Sequence, residues 1–161
     1  MFLLVLACLA CGDDEATPAS TAPGIDHFGG ILRFDANGQP LGGDTTDWRT
    51  DLRFTTEEQA LFGEFSASLP PCNGAVPPAI APYPNPFGEV LNLRTTNAFL
   101  TSNRVRIVDR NYRVYYRNED LPQVVSIDTR GFPVGDTLRV YYQFEALNCA
   151  YRGYGDILRE N

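Results

Sequence analysis

The sequence predicts an all-β protein, an antiparallel β-sandwich with an N-terminal β-hairpin and one short helix packed on it. Three observations predict it. Five short runs rich in β-branched and aromatic residues lie at Val90–Leu93, Arg104–Val108, Tyr112–Arg117, Val124–Ile127 and Leu138–Phe144. Turn-forming clusters separate them at Asp109–Asn111, Asn118–Asp120, Asp128–Gly131 and Val134–Asp136. The last run alternates: Leu138, Val140, Tyr142 and Phe144 face one way, and Arg139, Tyr141, Gln143 and Glu145 face the other. That period of two describes a half-buried antiparallel strand. Short strands repeating every ~10–14 residues build a sandwich.

With 161 residues, 43% hydrophobic and 12% aromatic, the chain can fill one core. The formal net charge of −7 excludes a nucleic-acid binder, which needs a basic face to displace counterions from phosphates.

From the N-terminus, Met1 to Cys11 ("MFLLVLACLAC") is uncharged and almost wholly apolar. It is too short for a bilayer-spanning helix of ~20 residues and suits the apolar core of a signal peptide. A basic segment before it is missing, consistent with a start codon further upstream. Leu9-Ala10-Cys11-Gly12 resembles the lipobox of bacterial lipoproteins, which implies acylation of Cys11, with Cys8 as the alternative acceptor. A plain secretory signal is the other reading of the same segment. Asp13-Asp14-Glu15 resembles the acidic export tag of Bacteroidetes-type surface lipoproteins; otherwise it is a solvated tether. Residues 12–24, small, polar and proline-containing, read as a flexible linker.

The folded part is expected over 25–161 as a single compact domain, with a hairpin, short helix and connector in 25–80 and the sandwich in 81–161. Asn37-Gly38 between two apolar runs predicts a hairpin with a type I′ turn. Asp35, Asn37 and Asp44 lack the third oxygen ligand and bidentate glutamate of a calcium loop, so turn chemistry accounts for them. Thr55 followed by Glu58 is a capping box, predicting a helix of two to three turns ended near Gly63. Trp48 is expected to cover the end of the core. Ser66 to Pro86 is proline-rich and reads as an extended connector along a sheet edge.

Of four cysteines, lipidation of Cys11 and removal of Cys8 leave Cys72 and Cys149, which in an exported protein most economically form a disulfide. No CxxC accompanies them, so no metal site is expected.

Tyr83-Pro84-Asn85-Pro86-Phe87, with Val90–Leu93, Val105–Asp109, Tyr112–Val114, Ile127-Asp128 and Gly131–Gly135, resembles one known pattern. It is similar to the Ig-like C-terminal sorting domain of type IX secretion cargo and to the Ig-like domain of the flagellar hook-capping protein. The resemblance spans residues 82–145 and implies a seven-stranded Ig-like sandwich entered through the Pro-Asn-Pro segment. The prolines fix φ and donate no hydrogen bonds, and Tyr83 and Phe87 are expected to plug the core. Asn111 stands where the family has a turn glycine and is expected to take the left-handed conformation. The tail from Ala146 to Asn161 lies beyond the family pattern and is expected to add a strand or cover an edge.

No nucleophile–base pair, phosphate loop, zinc motif or haem motif appears, and the one histidine, His27, sits beside the linker. No catalytic residue and no cofactor are expected. Tyr112, Tyr115, Tyr116, Tyr141, Tyr142, Tyr151 and Tyr154 are interleaved with arginines. Core packing explains most of them, and an exposed subset could meet a protein or glycan. The expectation is a non-catalytic, surface-exposed outer-membrane lipoprotein with a structural or adhesive Ig-like module. The alternative is cargo of, or an accessory to, type IX secretion, with the C-terminal domain as sorting signal.

Overall fold

The computed structural model describes residues 24–50, 53–63, 69–72, 78–96 and 101–161. The expected signal peptide and most of the linker, with Cys8 and Cys11, lie outside them.

Among the described residues, ten strands and one helix follow in order: β1 (Leu32–Phe34), β2 (Pro40–Gly43), β3 (Arg49–Thr50), α1 (Thr56–Ala60), β4 (Ile80–Tyr83), β5 (Val90–Thr95), β6 (Ser102–Val108), β7 (Val114–Asn118), β8 (Val124–Asp128), β9 (Thr137–Glu145) and β10 (Ala150–Leu158). They form a five-stranded sheet β3-β10-β9-β6-β7, a three-stranded sheet β4-β5-β8 and the separate hairpin β1-β2, all antiparallel. The two larger sheets make an Ig-like sandwich.

Between them lies the main core. Ile80, Leu91, Leu93 and Ile127 of the three-stranded sheet meet Val105, Ile107, Leu138, Val140, Tyr142, Phe144 and Ile157 of the five-stranded sheet. Phe87 is buried there and meets Phe132 edge-on at 6.3 Å. Trp48 covers one end of this core, packed flat on β10. A Cβ at Gly155 would stand 2.3 Å from the indole ring, so only glycine permits that approach.

A second core lies on the outer face of the five-stranded sheet. Ile25, Phe54 and Phe62 cover Val108 and Tyr141. Tyr141 is fully buried at its centre, with Phe54 edge-on at 5.6 Å, Tyr112 stacked at 6.3 Å and Tyr154 at 5.9 Å. Both faces of β9 are therefore buried. The expected half-exposed strand is corrected: Arg139, Tyr141 and Gln143 alternate with the apolar set but point into a second packed layer. Period-two alternation marks polarity, and polar side chains can be buried when another segment supplies their partners.

Local structure departs from expectation at four places. The capping box of Thr55 and Glu58 is present, but α1 runs only five residues. Glu58 is turned inward to accept the Tyr141 hydroxyl at 2.8 Å, so packing against the sheet sets the helix's extent. The β1-β2 turn is not type I′. Asp35 C=O accepts the Gly38 N–H, and of the turn residues only Gly38 takes positive φ (78°). The Asp35 carboxylate accepts from Asn37 and Gln39, which holds the longer turn. In the β6-β7 turn the left-handed residue is Tyr112 (φ 60°), not Asn111, and its ring's stacking on Tyr141 offsets that conformation. Finally, the end of the proline connector is itself a strand, β4, paired to β5.

The tail beyond the family pattern is β10, paired along nine residues with β9. Its register places the expected tail inside the five-stranded sheet. The Cys72–Cys149 disulfide is present, with Cα atoms 4.9 Å apart.

Candidate functional site

A connected polar cluster lies where the N-terminal segment crosses β10. A cleft of about 150 Å³ opens there, lined by Asp44, Asp47, Arg49, Arg139 and Asp156 beside the backbone of His27 and Gly29. Arg139 and Asp156 face each other across β9 and β10 and form a buried bidentate pair at 2.7 and 3.0 Å. The Arg139 guanidinium is sandwiched between the Phe28 and Tyr154 rings, 5.1 and 4.4 Å from their centroids. It also donates to the His27 carbonyl at 2.8 Å. Burial opposes its charge, but the Asp156 carboxylate prevails and holds it protonated more firmly than an ordinary arginine.

Asp156 accepts, besides, the Gly29 N–H at 2.6 Å. Asp47 accepts N–H groups from Leu32, Trp48 and Asp156 at 3.1, 3.0 and 2.8 Å. Burial, with the nearby Asp156 and Asp44 charges, pushes the Asp47 carboxyl up to about 6 against those donors. Both carboxylates thus spend their lone pairs on the chain itself. The described residues contain no group of three metal-binding side chains. Chemically the cluster fastens the N-terminal segment to β10.

What it fastens is the outer edge of β10. The Ala146–Cys149 bond closes the β9-β10 turn, so main-chain groups of Ala150, Arg152, Tyr154, Asp156 and Leu158 point away from β9. Three separate segments meet them. Ala150 donates to Pro70 C=O and accepts from Cys72, beside the disulfide. Arg49 and Thr50 of β3 pair at Tyr154 and Gly153. Asp47 takes the Asp156 N–H. The Asn85 carboxamide then acts as a surrogate peptide group: its Nδ2 donates to Asp156 C=O at 3.3 Å and its Oδ1 accepts the Leu158 N–H at 3.1 Å. Phe87 N–H closes the row on Leu158 C=O at 3.0 Å.

The motif residues thus have distinct places. Asn85 is fully buried and also pairs its backbone with Phe34 and its Nδ2 with Leu32 C=O. Pro84 and Pro86 flank it, both after cis peptide bonds. Phe87 fills the core as expected. Tyr83 does not: it sits on the outer face of β4, where Arg94 lies 5.5 Å over its ring. A strand alternates faces, and Ile80 and Pro82 hold the inner positions. Of the tyrosine set, Tyr141, Tyr142 and Tyr151 are buried in the two cores. The His27 side chain is exposed and only its carbonyl is used.

The Arg139–Asp156 pair and the role of Asp47 were not foreseen. The alternating charged positions in Leu138–Phe144 hinted at the first, but a partner 17 residues away and an N-terminal cover become visible only once the strands are paired.

No family model matches the chain, and no curated protein matches it. Among solved structures it is similar to a DUF3244 family protein with an immunoglobulin-like β-sandwich fold from Bacteroides vulgatus. That likeness has 18% identity and a TM-score of 0.36, and covers 48% of this chain and 81% of that one.

Proposed function

We propose that the chain is a non-catalytic lipoprotein, acylated at Cys11 and held at the outer membrane's cell-surface side, whose Ig-like module is a permanent structural or adhesive part. The observation that carries the permanence is the closed edge of β10. Residues before and after position 80 share one hydrogen-bonded unit through His27, Gly29, Asp47, Asn85 and the Cys72–Cys149 bridge. A cut near residue 80 leaves the two pieces fastened by that network and by the disulfide. This weighs against the alternative, a C-terminal sorting signal removed after type IX secretion. The anchor rests on the Leu9-Ala10-Cys11-Gly12 resemblance and the acidic Asp13-Asp14-Glu15 that follows.

Fractionation and intact mass of the native protein test it. The expected result is a membrane-bound chain beginning at an acylated Cys11 and retaining the whole C-terminal module through Asn161, with Cys11→Ser soluble or unprocessed. A chain lacking everything from about residue 80 onward supports the sorting alternative, and an unmodified soluble chain refutes the anchor. All thirteen basic residues are arginine. The only amine is therefore the terminal one, and N-acylated Cys11 leaves the chain inert to amine-directed reagents.

A further inference from the structure

β3 and β4 are edge strands of the two sheets. Where they face each other lies a cavity of about 210 Å³, lined by Trp48, Thr50, Pro78, Ala79, Ile80 and Tyr142. β10 makes room at this corner, because glycines 153 and 155 stand opposite the core residues Tyr142 and Val140. A Cβ at Gly153 would collide with the Tyr142 hydroxyl, and one at Gly155 with the Trp48 ring. Trp48 reaches its place through a strained backbone. Its φ of 46° lies in the left-handed region, rare for a bulky side chain, and the Asp47 carboxylate holds its main-chain N–H at 3.0 Å.

The polar groups here are not all paired, unlike those around Asp156. The Trp48 Nε1–H is buried and has no partner among the described residues. The Tyr142 hydroxyl donates to Arg49 C=O at 3.2 Å, so in its 3.3 Å contact with the Thr50 hydroxyl it accepts. That leaves one donor, the indole N–H, and the remaining lone pairs of two hydroxyls as acceptors. No charged side chain lines the cavity, so an ionised occupant would shed its water and gain no counter-charge. Pro78 and Ile80 supply an apolar wall. A wholly apolar occupant would leave the indole N–H unpaired in the interior.

We propose that this cavity binds one neutral pyranose ring. Sugar hydroxyls both donate and accept, so they meet the indole N–H and the Thr50 and Tyr142 oxygens, while ring C–H groups lie against Pro78 and Ile80. Size agrees with one ring. A cavity of about 150 Å³ holds benzene, and 210 Å³ adds room for the substituents of a single six-membered ring but not for a chain of them. The inference rests on the adhesive side of the proposed function and is independent of the acyl anchor.

Trp48 is the only tryptophan in the chain, so tryptophan emission reports on this cavity. The full chain with Cys8→Ser and Cys11→Ser is titrated with glucose, galactose, mannose and their methyl glycosides. Glucuronate serves as the charged counterpart and p-cresol as a mainly apolar ring. At least one neutral sugar should change Trp48 emission saturably, with a Kd on the order of millimolar for so small a ligand. Binding of methyl glycosides supports the end unit of a glycan as the source, and binding of free sugars alone supports a monosaccharide. Thr50→Val, which keeps the side chain's shape, should retain the circular dichroism spectrum and weaken binding several-fold. Trp48→Phe keeps a ring over Gly155 without the N–H; read by saturation-transfer NMR, it should bind several-fold more weakly too. No saturable change with any neutral sugar up to its solubility overturns the proposal. So does saturation by p-cresol or glucuronate with none by the sugars, or a folded Thr50→Val chain that binds like wild type. Such a failure leaves the anchored, structural reading standing, because fractionation and intact mass test that separately.

Discussion

The Asn85 carboxamide oxygen accepts the backbone N–H of Leu158 at 3.1 Å, 73 residues further along the chain. A side chain in the entry motif thereby completes the edge of the last strand. With its Nδ2 on Asp156 C=O, the amide copies both halves of a neighbouring strand's peptide group. It does so where Pro84 and Pro86, on either side, have no N–H to offer.

Asn85→Ala should therefore cost more than a lost surface amide. It leaves Leu158 N–H and the Asp156 and Leu32 carbonyls without their Asn85 partner in a closed interior, a penalty of about 3 kcal/mol or more. Asn85→Asp should restore little, because a carboxylate accepts from Leu158 but cannot donate to either carbonyl. Urea melts of both variants check this, and losses below about 0.5 kcal/mol would show the amide to be incidental.

Removing one member of the buried ion pair should be worse than removing both. Asp156→Ala strands the Arg139 charge between Phe28 and Tyr154 and also frees the Gly29 N–H, an expected loss of about 3–5 kcal/mol. Arg139→Met together with Asp156→Leu should recover part of that loss. A double-mutant cycle with no coupling would mean that Arg139 is held by its rings alone.

Asp47 gives the pH dependence a definite sign. Its carboxyl titrates near 6 when folded against an ordinary 3.8, so between about pH 6 and 4 the folded chain holds a proton that the unfolded chain has released. Its contribution to stability therefore rises as pH falls through that window and is lost as pH rises through 6. Asp47→Asn cannot follow. Relative to the variant, the wild type should gain on the order of 1 kcal/mol from pH 7 to pH 4.5, after discounting for solvent at a partly exposed group. A pH-independent difference between the two melts would refute this.

Reduction or the Cys72→Ser/Cys149→Ser double variant should lower stability by up to ~4 kcal/mol, since the bridge spans 77 residues. The connector should also loosen selectively. Hydrogen exchange is expected to accelerate at the Ala150 and Cys72 amides, which bond Pro70 and Ala150 beside the bridge, before it changes at Leu138 or Val140. Uniform acceleration would show that the bridge stabilises only the whole domain.

The sequence by itself determined the elements whose cause is local. Alternation of β-branched and aromatic residues marks β5 to β9, and the Thr55–Glu58 spacing marks the start of α1. Two cysteines outside the apolar N-terminal segment, Cys72 and Cys149, mark the disulfide. Each of these is read from neighbours within a few residues or from simple counting. Tertiary structure alone decided what happens at the boundaries. Whether the second face of β9 meets water or Phe54 and Phe62, and whether Glu58 turns inward and shortens a helix, depends on which distant segment arrives. The same holds for Asn85: nothing within five residues of it says that its amide will stand in for a strand. Side-chain hydrogen bonds across more than a hundred residues, such as Gly29 to Asp156, have no local signature, because their partners come together only after the sheet has paired.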